Sequence, residues 1–171
     1  GSTSLTFTKP VTLWIAGQKL QASGTVSFSA KTGQLRAVYD LRGTLKVRRA
    51  GMLLGFYKWV SFSPQGKVIF GYVRHATTFT VGGNTVHYAP FQPSRYLAKI
   101  FFYESGAIQS IHIAKPHDIK VGGATYRFAH HAGCGADLDF YEDGKFKGGY
   151  LAADTVIEGV TIAKGKKVTF T

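Results

Sequence analysis

Apolar and polar residues alternate along most of this chain, and the alternation is interrupted at glycines. The fullest form of the pattern is Leu138-Asp139-Phe140-Tyr141-Glu142-Asp143-Gly144-Lys145-Phe146. It returns as Val60-Ser61-Phe62-Ser63-Pro64-Gln65-Gly66-Lys67-Val68 and as Ile100-Phe101-Phe102-Tyr103-Glu104-Ser105-Gly106-Ala107-Ile108. Val26-Ser27-Phe28-Ser29-Ala30-Lys31-Thr32-Gly33-Gln34-Leu35 repeats it with one extra residue, and Val168-Thr169-Phe170-Thr171 gives its opening alone. Copies therefore start at 26, 60, 100, 138 and 168, a spacing typical of repeat-built folds. A second phrase lies between them, as Val81-Gly82-Gly83-Asn84-Thr85 and Val121-Gly122-Gly123-Ala124-Thr125, with Ile162 to Phe170 as a stretched relative. Each phrase sets glycine between alternating apolar runs, which is a strong hairpin signal.

Turns at Gly17, Gly33, Gly51, Gly66, Gly82-Gly83, Gly106, Gly122-Gly123, Gly144 and Gly165 delimit ten strand-like segments. No apolar i, i+3, i+4 pattern is sustained, and Phe, Tyr, Val, Ile and Thr dominate. The expected fold is all-β: an antiparallel meander of about ten strands from tandem hairpins, curled into a closed or partly closed barrel, with little helix. The segments exceed the usual strand length of roughly 5–6 residues. They should therefore bend or break at Ala22-Ser23-Gly24, Arg42-Gly43, Pro90 and Pro93, Lys115-Pro116, Gly133 and Gly135, and Ala152-Ala153-Asp154.

Aligned on their turn glycines, the copies form columns. Leu35, Val68, Ile108 and Phe146 stand two residues on, Ala37, Phe70, Ser110 and Gly148 four on, and Tyr39, Tyr72, His112 and Tyr150 six on. Residues two apart share a strand face, so these columns read as inward. The intervening Arg36, Ile69, Gln109 and Lys147, followed by Val38, Gly71, Ile111 and Gly149, read as the outer face. An inward face of this kind predicts an interior site for an apolar or aromatic small molecule, lined by Tyr39, Phe70, Tyr72, Ile108, His112, Phe146 and Tyr150.

The segment from Gly149 to Phe170, which includes Leu151, Asp154-Thr155, Ile157, Gly159, Ile162, Gly165 and Val168, resembles the repeat of exported bacterial proteins of unassigned role. It is more distantly similar to MORN-type and YwqK-like hairpin repeats. The resemblance spans residues 26–171 and implies tandem β-hairpins and an exported or periplasmic bacterial protein. It carries no catalytic residues onto this chain. Unequal spacing and the unmatched stretch from Ala89 to Tyr96 suit a closed, specialised domain better than a regular array.

At 171 residues, residues 1–171 read as one domain, long enough to bury a core without staples. Gly1-Ser2 reads as an expression remnant, and no apolar run reaches the roughly 18 residues a membrane helix needs. One cysteine, Cys134, excludes an internal disulfide. Charge is lopsided. Up to Tyr103 there are thirteen Lys/Arg and one acid, Asp40, while the remainder holds eight of each. The net charge of +12 thus belongs to the first part. Such an excess favours nucleic acid, anionic lipid or polyanionic glycan, through Arg36, Arg42, Lys46, Arg48, Arg49 and Lys58.

Candidate chemistry concentrates in His112, His117, Asp118, His130, His131, Cys134, Asp137 and Asp139; His75 and His87 are the histidines elsewhere. Their spacing matches no structural zinc signature, so no metal is expected. Phosphate-loop, dinucleotide and nucleophile-elbow motifs are missing, so no cofactor is expected. Beside ligand binding stands a cofactor-independent isomerase, lyase or cyclase reading. There His112 is the acid-base group, with Asp118, Tyr72 and Tyr150 as partners and Asp137, Asp139 or Asp154 as other sources of a carboxylate. On that reading His112→Tyr should fold, because sister positions carry tyrosine, and lose turnover.

Overall fold

A computed structural model describes residues 1–88, 99–113, 115–129 and 137–171. Sixteen strands are present among them: β1 (Ser2–Ile15), β2 (Gln18–Ser29), β3 (Leu35–Arg49), β4 (Met52–Phe62), β5 (Val68–Val73), β6 (Thr77–Val81), β7 (Asn84–Tyr88), β8 (Lys99–Phe102), β9 (Ile108–Ile111), β10 (His117–Val121), β11 (Ala124–Phe128), β12 (Leu138–Phe140), β13 (Phe146–Tyr150), β14 (Thr155–Ile157), β15 (Val160–Ile162) and β16 (Lys167–Thr169). No helix occurs among the described residues, and none is long and apolar enough to cross a membrane.

Ten strands form one antiparallel sheet in the order β1-β2-β3-β4-β5-β8-β9-β12-β13-β16. The order is that of a meander, and no ladder joins β1 to β16 among the described residues. Every full copy of the first phrase is a hairpin turn of this sheet. In three of them the glycine N–H donates to the carbonyl three residues back, Gly66 to Ser63, Gly106 to Tyr103 and Gly144 to Tyr141, each at 2.9 Å. In the copy with the extra residue Gly33 reaches four back, to Ser29, at 2.8 Å.

The second phrase has another role. Val81-Gly82-Gly83-Asn84 and Val121-Gly122-Gly123-Ala124 turn two separate two-stranded sheets, β6-β7 and β10-β11. The third relative is Ile157-Glu158-Gly159-Val160-Thr161, turning β14-β15, and not the stretch from Ile162 onward. The two-residue turns Ala16-Gly17, Ala50-Gly51, Gly82-Gly83, Gly122-Gly123 and Glu158-Gly159 all have positive φ at both positions, the hairpin turn whose twist matches that of the strands. Each small hairpin therefore occupies a crossover between main-sheet strands. The expected mid-segment breaks at Lys115-Pro116 and Ala152 to Asp154 are where β10 and β14 split from β9 and β13. Gly24 and Gly43, with φ of 73° and 108°, coincide with register shifts in β2 and β3. Pro90, Pro93, Gly133 and Gly135 lie outside the described residues.

The described residues fall into two compact units, Gly1–His75 with Phe101–Gly106, and Ala76–Ile100 with Ala107–Thr171. In the first, Val26, Val38, Val60, Leu45 and Phe56 are wholly buried, and Phe56 meets Phe102 edge to face at 6.0 Å. Each such side chain contributes roughly 1.5–3 kcal/mol by leaving water. In the second, Phe128 of the β10-β11 hairpin packs against Phe146 at 4.8 Å and lies over Gly149. A Cβ at Gly149 would stand 2.7 Å from the Asp137 carbonyl oxygen and 2.9 Å from the Phe128 ring. The intervening column is therefore not an outer face at its far end: Val38 and Ile111 are wholly buried, and Gly71 and Gly149 are buried under phenylalanine rings.

Candidate functional site

The turn Ala16-Gly17 fixes the register of β1 on β2, so that Trp14 stands directly opposite Lys19 and Thr12 opposite Gln21. Directly opposed residues project to one face, and Gln21 Nε2 donates to Thr12 Oγ1 at 2.8 Å on that face. Gln21 in turn opposes Arg42 of β3, Lys46 opposes Gly55 of β4, and Arg48 opposes Leu53. Arg74 donates through Nη1 to Thr44 Oγ1 at 3.0 Å, and Thr44 itself crowds Gly55. Leu41 and Leu45 point the other way and are buried. Lys19, Arg42, Lys46, Arg48 and Arg74 are all exposed and share the open face of the first unit. Trp14, 72% exposed, and Leu53, 61% exposed, stand among them, and alternation along β4 adds the half-buried Tyr57.

Asp40 is the one acid of residues 1–75. Ser23 Oγ donates to its Oδ2, and Arg42 donates through Nε to Ser23 Oγ at 3.0 Å and lies 3.8 Å from that carboxylate. The other four cations have no carboxylate partner among the described residues. Of the basic residues singled out from sequence, Arg49 points elsewhere. Its Nε donates to the Val68 carbonyl at 2.9 Å, and burial lowers its guanidinium pKa. Sequence reading missed Lys19, Arg74 and Trp14. Pairing the residues across Ala16-Gly17 would have found Trp14 and Lys19.

The residues expected to line one interior divide between the units. Tyr39, Phe70 and Tyr72 belong to the first, and Ile108, His112, Phe146 and Tyr150 to the second. Tyr39 is 46% exposed and tilts against Trp59 at 5.1 Å. Phe70 is buried among Trp59, Tyr72 and Phe101, at 4.7, 5.7 and 4.8 Å. Burial, and then the neighbouring Tyr57, raise the Tyr72 pKa. Ile108 and Phe146 are buried, and Tyr150 is half-buried with Lys167 Nζ at 5.6 Å from its ring. That ammonium is paired with Asp139 at 2.6 Å, which raises the Lys167 pKa.

His112 follows the last residue of β9. Its Nδ1 lies 3.2 Å from Oδ2 of Asp137, a carboxylate with no exposed surface. The same oxygen accepts the Ile113 N–H at 2.7 Å, and the Asp137 N–H donates to Ile111 at 3.1 Å. Asp118 is elsewhere: it opposes Arg127 across β10-β11 and pairs with it at 3.2 Å, half exposed. The carboxylate beside His112 is thus Asp137 and not Asp118, because β12 begins where β9 ends whereas Asp118 faces solvent from a small hairpin. His117 is buried too. Its Nδ1 lies 2.7 Å from the Lys115 carbonyl, and its Nε2 accepts the His87 N–H at 2.9 Å. A carbonyl only accepts and an amide N–H only donates, so the ring is neutral with its proton on Nδ1. Burial, with His87 and Lys115 adding to it, lowers its pKa, against the Lys115 carbonyl bond and Asp118.

His130, His131 and Cys134 lie outside the described residues. No group of three or more metal-binding side chains gathers among the residues described. No known protein family, curated protein or solved structure matches the chain.

Proposed function

We propose that the protein is a binding module for polyanionic polymers, engaged by the open face of β1 to β4. The observation that carries this is the placement of Lys19, Arg42, Lys46, Arg48 and Arg74 on one exposed face, with Asp40 the one nearby acid and already bonded by Ser23. Lys19, Lys46, Arg48 and Arg74 have no carboxylate partner among the described residues, and unpaired cations on one sheet face create the field that attracts a polymer of like-spaced negative groups. Binding releases the polymer's condensed counterions, so affinity falls steeply with salt. The test is titration with dextran sulfate at rising salt, using the wild type and Lys46→Glu/Arg48→Glu. Wild-type binding that weakens with salt, and drops at least tenfold in the double variant, is expected. No binding at low salt would remove the proposal.

A second reading, cofactor-independent acid-base catalysis by His112, draws support from the Asp137 contact, since a carboxylate on Nδ1 orients an imidazole and leaves Nε2 as the basic nitrogen. Such an imidazole must be reachable. Carbethoxylation of His112 in the native protein by diethyl pyrocarbonate supports this reading, and modification only after unfolding rejects it. The interior small-molecule reading draws less support, because neighbouring rings already engage Phe70, Tyr72 and Phe146.

A further inference from the structure

We infer that the polymer suited to this face is a single-stranded nucleic acid, with Trp14 and Tyr57 as stacking surfaces and the cations between them as phosphate contacts. The inference rests on the polyanion reading and deepens it. A sulfated glycan needs cations alone, and it gives no reason for an indole 72% exposed to water. Trp14 stands on β1 opposite Lys19, and Tyr57 stands on β4 with Lys58 Nζ at 5.9 Å from its ring. Three strand spacings separate β1 from β4, ~14 Å. Arg42, Lys46 and Arg48 of β3 lie between. Rings alternating with cations match a strand whose bases unstack onto aromatic faces while its phosphates follow the positive groups. A duplex hides its base faces and offers these rings nothing. An anionic membrane would suit a contiguous apolar cap, whereas Trp14 and Leu53 each oppose a cation, Lys19 and Arg48.

The test compares oligo(dT), dextran sulfate and phosphatidylglycerol vesicles on the full chain at low salt, with tryptophan emission as a second readout. Wild type should bind oligo(dT) with quenching of emission. Trp14→Ala should lose most of the quench and about tenfold in oligo(dT) affinity while dextran sulfate affinity stays within about twofold, and Trp14→Tyr should restore much of the loss. Equal losses for both polymers, no loss for either, or tighter binding to vesicles than to oligo(dT) overturn the inference. If dextran sulfate still binds in those cases, the charged-face reading survives; if neither polymer binds wild type, both fall.

Discussion

Losing the Asp137 carboxylate would remove an acceptor from the Ile113 amide and from beside His112 Nδ1, both on buried residues of the second unit. Asp137→Ala should therefore cost about 2–4 kcal/mol, read as a lower urea midpoint at unchanged slope. His112→Tyr carries a cost in stability as well. His112 stands beyond the end of β9 rather than in a regular column, and a phenol hydroxyl lies too far from its Cα to take the place of Nδ1. A loss of about 1–3 kcal/mol is expected, by the same denaturation measurement. His117 gives a pH dependence with a definite sign. Its folded pKa lies below the ordinary 6.5, so the unfolded chain takes up the proton first as pH falls. The stabilisation is fully present above about 6.5 and is lost as pH drops through the folded value, when Nε2 must stop accepting the His87 amide. Facing it are His87, Lys115 and Asp118, of which the first two oppose protonation and the third favours it. Unfolding curves from neutral to mildly acid pH should show this decline, and His117→Gln should flatten it; an unchanged slope in that variant removes His117 as the source.

Between elements, single amides replace ladders. Asn84 of β7 accepts the Lys120 N–H at 2.8 Å and donates to the Lys120 carbonyl at 3.3 Å, which joins the β6-β7 hairpin to β10. Gln18 of β2 does the same for Lys46 of β3, at 3.0 and 2.7 Å. Asn84→Ala strands a part-buried backbone pair and should cost about 0.5–1.5 kcal/mol, with amide exchange accelerating first at Lys120. Strand alternation and turn glycines were enough to predict the antiparallel meander, because hairpin turns are local chemistry. The small hairpins were not legible as separate sheets, since a hairpin looks alike in sequence whether its strands join the main ladder or leave it. Glu158-Gly159 passed unnoticed as a turn because it lacks the doubled glycine of its two relatives. Tyr39 looked inward by period, but it stands on the face opposite the wholly buried Val38, 46% exposed and packed on Trp59. The open cationic face required cross-strand register, which glycine alignment of copies could not supply.

Across the whole chain the charge is concentrated where it repels itself. The first unit holds eleven Lys/Arg against Asp40 and Glu104. Like charges on one face oppose the compact state, and dissolved salt screens them over about 10 Å at 0.1 M. A face that exists for solubility alone would gain as much from mixed signs, which keep a protein soluble without this repulsion. Stability and binding should therefore respond oppositely to charge. Wild-type melting temperature should rise as salt is raised from near zero, while polyanion affinity falls. Lys19→Glu/Lys46→Glu/Arg48→Glu places its changes at exposed positions, so it should fold, melt at or above the wild-type temperature at low salt, and show a weaker salt dependence of melting. The same variant should lose polyanion binding. If it melts well below wild type at every salt concentration, these cations are holding the sheet together, and a surface kept open for a negative partner is the wrong account of them.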